Sequence, residues 1–356
     1  MTLNMRKHYI DNLRWLILLI LIPYHAAQAW NTWGEPNYIF FEGNRAISSI
    51  IVFFSPYFMP LLFVLAGIST KFALQKRTKK EYLIERVHRL LVPLLFGTIF
   101  FMPVMTYLAD SFHGSYQGGF WAHYVVFFTK LTDWTGADGG FSLGQFWFLL
   151  YLMIISMAGV CVITLLNKIP VKLRKTIPFK MVLVLGLPLP LLGGKSFVEY
   201  TYLFLIGYYV LADEEVVDKA EKNSLLLLGV GLIATILNVY LFIWSDVELV
   251  FLNLITKCVS EWIMIIAFIG LAKRNLNFEG KISNYMNKRS FLFYIYHFIW
   301  VVLFQYILYG FVGNKTIVLY TGPVLFAYLM TAICCEISIR VPVLCFLTGT
   351  KYNANK

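Results

Sequence analysis

Apolar residues occupy this chain in long runs, and short polar segments separate one run from the next. Most runs approach the roughly 20 residues that an α-helix needs to cross a bilayer. We therefore predict an all-α protein, a polytopic membrane helix bundle of about ten transmembrane helices that forms one integral membrane domain over 1–356. The fifth run is short and contains Pro188 and Pro190, so we expect it to be kinked or paired as a hairpin with the sixth. The runs cover 9–30, 46–70, 90–109, 144–166, 180–193, 197–212, 224–244, 250–272, 291–311 and 317–340.

Lysine and arginine are unevenly divided among the loops. The loops at 71–89, 167–180 and 273–289 are rich in both, and they alternate with loops that contain few. Because basic loops remain in the cytoplasm, ten spans place both termini there and put the 110–143 segment outside. That long segment is rich in glycine and aromatic residues, so we expect a partly buried re-entrant segment or lid.

The composition supports a membrane protein. The chain is 59% hydrophobic and only 14% charged, whereas about a quarter of the residues in a soluble protein are charged. The net charge of +11 does not indicate nucleic-acid binding, because most basic residues stand in short loops between apolar runs, where they set the orientation in the membrane. The five cysteines lack CxxC spacing, and we expect neither a metal site nor a permanently bound cofactor. A monomer and a homodimer are both compatible with the sequence.

The first run carries a polar stripe. Arg14 and His25 are eleven positions apart, which returns to within about 20° of the same helical face. Asp11 falls on that face, and His25 lies roughly 16 Å beyond Arg14 along the axis. Because charged groups at such depth usually face a bundle interior or cavity, the stripe fits an anion-binding floor with a histidine base near its top. An Asp11–Arg14 ion pair at the membrane edge, with a histidine satisfied by a neighbouring helix, explains it equally well.

Other polar residues within the spans are also candidates. Arg86 and Arg89 stand three apart on the helix that enters the third span, and arginine suits phosphate groups, although basic flanks also bind lipid headgroups. Glu261 lies in the middle of the eighth span, where a carboxylate indicates function. An i,i+4 pair with Lys257 is the alternative explanation for Glu261.

Five stretches of the sequence, taken in order, resemble the acyltransferase-3 family of membrane acyltransferases. The resemblance is strongest to the branch that includes the membrane succinyltransferase of periplasmic glucans. Ala66 departs from the wider family, which usually has serine there. Glu85 stands where the family has the first arginine of a pair, which leaves Arg86 and Arg89 for the cationic role. Five stretches carry the resemblance: Arg14 and His25 with ten residues between them, FMPLLFVLAGIS at 58–69, ERVHRLLVP at 85–93, GQFWFLLYLM at 144–153 and SFLFYIYHFIW at 290–300.

The resemblance implies a reaction across the membrane. Acyl-CoA would be the donor on the cytoplasmic side, and a hydroxyl of an extracytoplasmic glycan or glycolipid would accept an acetyl or succinyl group. The donor phosphates would bind near Arg14, Arg86 and Arg89. His25 would act as a general base or as a nucleophile, and these two roles stay open.

Further site residues follow from this reading. We expect Glu261 to orient His25 or to bind the acceptor, and His297 to support the donor site. Trp121, Trp134 and Trp147 could stack on a sugar ring, although interfacial aromatic belts also explain them. The protein would be a multi-pass protein of the bacterial cytoplasmic membrane. An exporter of polysaccharide or lipid-linked sugar is the alternative, although exporters of this kind typically show an internal repeat and we find none.

Overall fold

The predicted helical class is confirmed. The structure is a computed structural model that describes residues 7–132, 134–167 and 177–350, and within these ranges it contains helices and turns but no strand. In chain order the α-helices are α1 His8–Ala27, α2 Arg45–Phe54, α3 Phe58–Leu74, α4 Lys79–Arg86, α5 Val92–Phe100, α6 Met102–Phe112, α7 Phe120–Thr129, α8 Trp147–Leu166, α9 Phe179–Val184, α10 Phe197–Tyr209, α11 Glu214–Lys222, α12 Ser224–Val239, α13 Val250–Asn275, α14 Lys281–Val312, α15 Thr316–Ser338 and α16 Pro342–Leu347.

Eight stretches of the described chain are long and apolar enough to cross a membrane. They correspond to the first four and the last four predicted runs. The fifth and sixth runs form shorter helices, because α9 ends at Val184 and the segment with Pro188 and Pro190 forms turns before the 13-residue helix α10. The eight stretches are His8–Trp30, Arg45–Leu74, Lys79–Phe112, Gly144–Leu166, Ser224–Trp244, Val250–Asn275, Lys281–Val312 and Thr316–Ser338.

The helices form two compact units that interleave along the sequence. The first unit contains 1–17, 52–84 and 152–288, and the second contains 18–51, 85–151 and 289–356. Each change from one unit to the other falls inside a helix. Most of the basic residues in the predicted 167–180 loop, namely Lys168, Lys172, Arg174 and Lys175, lie outside the described residues.

Glycines permit close helix packing in the first unit. A Cβ on Gly67 of α3 would lie 2.0 Å from the carbonyl oxygen of Phe204 in α10, and one on Gly207 of α10 would lie 2.3 Å from that of Val64. Since such approaches exclude any larger side chain, α3 and α10 pack backbone against backbone. The hydroxyls of Thr235 and Ser260 share a hydrogen bond of 2.6 Å between α12 and α13.

In the second unit, α15 supports a break in the hydrogen bonding of α1. Pro23 has no N–H, so the carbonyl of Leu19 loses its helical partner. The hydroxyl of Tyr328 donates to this carbonyl at 2.7 Å, and the hydroxyl of Tyr320 donates to the carbonyl of Pro23 at 3.4 Å. Two side chains of α15 therefore donate to carbonyls of α1 around Pro23.

Candidate active site

His25 projects from the last turns of α1 onto α14. Its ring stacks on Phe298 with centroids 4.1 Å apart, and the centroid of the His297 ring lies 5.2 Å away. His25 is half-buried, and its ring nitrogens make no hydrogen bond within the described residues. Within the described residues, no neighbouring helix provides the hydrogen bond that the alternative interpretation of this histidine requires. Its contacts are aromatic, and they leave both nitrogens available for chemistry.

His297 is the second histidine of the pair and is fully buried in α14. Its Nδ1–H donates to the carbonyl of Tyr294, one turn earlier, at 2.8 Å. This bond fixes the tautomer of the neutral ring, so that Nε2 carries the lone pair. Nε2 is buried and has no hydrogen-bond partner in the described chain. The sequence predicts that His297 supports the donor, and the structure places it beside His25.

Arg14, in the first unit, is held by two polar partners. Its guanidinium contacts the Asp11 carboxylate at 3.2 Å and donates to the Ser69 hydroxyl at 2.8 Å. The ion pair with Asp11 is the one anticipated in the alternative reading of the stripe. Ser69 is the last residue of the 58–69 stretch that resembles the family, and it ties α3 to α1. About a third of the Arg14 side chain is exposed, so the charge is accessible as well as oriented.

Arg86 and Arg89 differ in their surroundings. A π-helical turn at Val87–Leu91 follows Arg86, and it interrupts the α-helical spacing that would place both residues on one face. Arg86 is half-buried, whereas Arg89 is exposed and lies 3.5 Å from Glu85. Glu85 is the residue that departs from the arginine pattern of the family. Its carboxylate partly neutralises the charge of Arg89.

Glu261 is buried in the middle of α13, in the first unit. One carboxylate oxygen, Oε1, has no hydrogen-bond partner among the described residues. The nearby charges that act on it electrostatically are Glu199 and Lys257. Lys257 approaches the turn before α10, where a Cβ on Gly194 would lie 2.9 Å from its Nζ. Glu261 therefore remains a candidate, because the alternative ion pair with Lys257 does not form within the described residues.

The three predicted tryptophans lie in different environments of the second unit. Trp121 is 79% exposed and Trp134 is 58% exposed, so both rings are accessible at the surface of this unit. Trp134 also has a φ of 64°, a left-handed conformation that is uncommon outside glycine. Trp147 begins α8, is only half-buried, and packs edge-on against Tyr151 at 5.3 Å.

The 110–143 segment packs around a buried acid–histidine pair. His123 on α7 lies 3.2 Å from the carboxylate of Asp110, and both side chains are buried. A Cβ on Gly139, whose φ is 82°, would lie 2.4 Å from this carboxylate. The expected partial burial of the segment is therefore observed, because α7 also buries Phe127.

Sequence reasoning missed several residues of these clusters. Ser69 fixes Arg14, Phe298 stacks on His25, and Gln145 lies buried beside the hydroxyl of Tyr294. A signal existed for two of them: Ser69 closes the 58–69 stretch, and Gln145 is the polar residue in the aromatic stretch at 144–153. Nothing local identifies Phe298 among the many aromatic residues of α14.

These observations define a polytopic helical membrane protein with a pair of neighbouring histidines, one on α1 and one on α14. Residues 7–339 match an acyltransferase domain, that of the acyltransferase-3 family. The match covers nearly the whole chain, so the protein belongs to this family and is a membrane acyltransferase. It therefore requires an acyl donor and an acceptor, and it contacts membrane lipids. No curated protein and no solved structure matches the chain.

Proposed function

We propose that the protein is an O-acyltransferase that moves an acetyl or succinyl group from cytoplasmic acyl-CoA to a hydroxyl of an extracytoplasmic carbohydrate. One observation carries this proposal: His25 offers ring nitrogens without hydrogen-bond partners in the described chain, next to a second histidine whose Nε2 is equally unused. A base needs a lone pair that the fold has not already engaged. The acceptor is a glycan or a glycolipid, and the protein resides in the bacterial cytoplasmic membrane.

The chemistry requires one proton to move twice. As a general base, His25 takes the proton of the acceptor hydroxyl while the oxygen adds to the thioester carbonyl. When the carbon–sulfur bond breaks, the same proton passes from His25 to the departing sulfur. As a nucleophile, a ring nitrogen of His25 would instead bond to the acyl carbon while the carbon–sulfur bond breaks; the acceptor oxygen would then displace that nitrogen, and its proton would end on the released thiolate. Both routes consume acyl-CoA and release the free thiol.

The donor binds through cations on the cytoplasmic side. Arg14 is oriented by Asp11 and Ser69, and an oriented guanidinium forms strong paired bonds to phosphate. Arg86 and Arg89 add positive charge near the membrane surface. This arrangement requires both termini in the cytoplasm and the 110–143 segment outside, where Trp121 and Trp134 face the acceptor.

Membrane vesicles that retain the acceptor of the cell provide the test. Thiol release from acetyl-CoA and from succinyl-CoA should depend on the protein, and a matching acyl mass should appear on the surface glycan. The Arg86→Ala, Arg89→Ala double variant should bind CoA more weakly, and this loss should shrink at high salt. Absence of protein-dependent thiol release and of any glycan mass shift would reject the proposed function.

The orientation has a separate test. Single cysteines introduced at Ser115 and Lys79 should react with a membrane-impermeant maleimide from opposite sides of the membrane. The background requires Cys161 to be replaced, because it is exposed. Labelling of both positions from one side would overturn the arrangement.

A further inference from the structure

Gln145 is a buried side chain whose amide the fold leaves without a partner. It lies in the short 3-10 turn Gly144–Phe146 before α8, and it is 4% exposed. Neither Nε2 nor Oε1 forms a hydrogen bond within the described residues. Buried amides normally find partners, because an unmet donor or acceptor removed from water is destabilising. Gln145 thus holds hydrogen-bonding capacity that no described protein group uses.

A second buried glutamine of the same unit shows the contrast. Gln305 on α14 is 1% exposed, and its Nε2 donates to the carbonyl of Ala26 at 3.0 Å. Ala26 stands near the end of α1, where helix carbonyls lack a partner within their own helix. Gln305 is therefore a structural amide, and Gln145 has no equivalent task.

The backbone at Gln145 is fixed by its neighbours. The hydroxyl of Tyr294 donates to the carbonyl of Gln145. The N–H of Gly144 donates to the Ser142 hydroxyl at 3.0 Å, and that hydroxyl shares a 3.3 Å hydrogen bond with Tyr38. The backbone that carries the free amide is therefore held in place, which is one requirement for a donor that stabilises charge as it develops in a transition state.

Two paths of contact join this turn to the histidine pair. Tyr294 accepts the Nδ1–H of His297 on its carbonyl, and the two ring centroids are 6.0 Å apart. The ring of Phe298, which stacks on His25, has its centroid 5.5 Å from that of Tyr38. Gln145 is thus linked to the proposed base through Tyr294 and His297 on one path and through Tyr38 and Phe298 on the other.

We infer that Gln145 is a further catalytic residue, whose Nε2–H donates to the carbonyl oxygen of the acyl thioester. This inference rests on the proposed function. When the acceptor oxygen bonds to the acyl carbon, its proton goes to His25 and negative charge develops on the carbonyl oxygen beside Gln145. Collapse restores the carbonyl, breaks the carbon–sulfur bond and returns the proton to sulfur. The bond from Gln145 is strongest while the oxygen is charged, so it accelerates the reaction.

The test compares matched glutamine variants in the full-length protein. Thiol release from acetyl-CoA and succinyl-CoA is measured in vesicles that retain the native acceptor, together with melting temperature in nanodiscs. Gln145→Met should lower kcat by about 10²–10³-fold, the cost of one oxyanion donor, and should leave KM for acyl-CoA unchanged. Gln305→Met should lower the melting temperature, because the carbonyl of Ala26 loses its donor.

A second variant protects the test from a folding defect. Gln145→Leu is close to glutamine in size and carries no hydrogen-bonding group, so the same loss of kcat is expected, and an unchanged melting temperature shows that the variant is folded. If the wild-type protein is active and either variant keeps a kcat within threefold of the wild-type value, the role of Gln145 is overturned while the proposed function stands. A wild-type protein that releases no thiol and shifts no glycan mass would reject the proposed function, and the role of Gln145 with it.

Discussion

Arg14 and His25 lie on the same helix, but Arg14 has polar partners and His25 has aromatic ones. Arg14 is bound by a carboxylate and a hydroxyl, so its position and charge are set before any ligand arrives. His25 rests on an aromatic ring, and its nitrogens contact no polar group of the described chain. A cation that hydrogen bonds already hold in place suits binding, whereas an imidazole with unused nitrogens suits proton or acyl transfer. Under the proposed function, binding and chemistry are assigned to different parts of α1.

The largest expected effect comes from replacing His25. His25→Gln retains hydrogen-bonding groups but not basicity, so kcat should fall by about 10²–10⁴-fold. Affinity for CoA should persist, because the proposed phosphate site lies roughly 16 Å away along the helix. Thiol release and CoA binding by calorimetry check both statements, and His113→Gln, at an exposed histidine, is the control. Near-normal transfer by His25→Gln would reduce His25 to a structural residue.

Replacing Arg14 should affect binding instead. Arg14→Ala removes a charged hydrogen bond worth about 1.5–3 kcal/mol, so CoA should bind roughly ten- to hundredfold more weakly. Ser69→Ala should weaken binding by a smaller factor, because Asp11 still orients the guanidinium. Lys71→Ala removes a cation from the same helix as Ser69 and serves as the control. Unchanged CoA affinity in Arg14→Ala would show that Arg14 is only part of an ion pair.

Replacing His297 should have an effect on kcat that lies between those of the previous variants and the next. His297→Asn keeps a donor near Tyr294 but removes the group at Nε2, so kcat should fall about tenfold, the equivalent of one hydrogen bond. His297→Gln restores a polar atom near the Nε2 position and should recover part of that loss. The steady-state kinetics separate two roles, since a rise in KM for acyl-CoA at constant kcat would assign His297 to the donor.

The smallest effect concerns the charged cluster on α11, in the unit of Arg14. Glu214 contacts Lys7 and lies 2.6 Å from Lys273. Partial burial raises the pKa of the Glu214 carboxyl, but hydrogen bonds from the two lysines outweigh it, and the net pKa is lowered. Because the pKa of Glu214 is lower in the folded state than in the unfolded state, its ionised form stabilises the protein at a pH above the unfolded-state pKa. This stabilisation is lost as the pH falls through the folded-state pKa.

Glu214→Gln should therefore destabilise the protein at pH 7 by less than about 1 kcal/mol, since exposed pairs contribute little. The difference in melting temperature between variant and wild type should vanish as the medium is acidified below pH 4.5, the ordinary pKa of the group. A difference that persists in acid would assign the effect to packing rather than to charge.

Eight of the ten predicted runs form helices long and apolar enough to cross a bilayer, because length and apolarity are properties that the sequence itself carries. The prolines at 188 and 190 also locate the break in the fifth run. The π turn after Arg86 has no comparable local signal, so the sequence places Arg86 and Arg89 on one face although their exposure differs. Ser69 and Phe298 escape prediction because their roles depend on partners distant in the chain.

The interleaving of the two units has a consequence for biogenesis. His25 enters the membrane with the first helix, whereas His297 belongs to the last segment of its unit, 289–356. Domains made during synthesis fold as units, but here neither unit is a contiguous stretch that could be completed early. The nascent chain must hold its first helix in the bilayer while almost every other span is inserted. The histidine pair can therefore form only after α14 has been synthesised, and a chain truncated before α14 carries His25 without its neighbour.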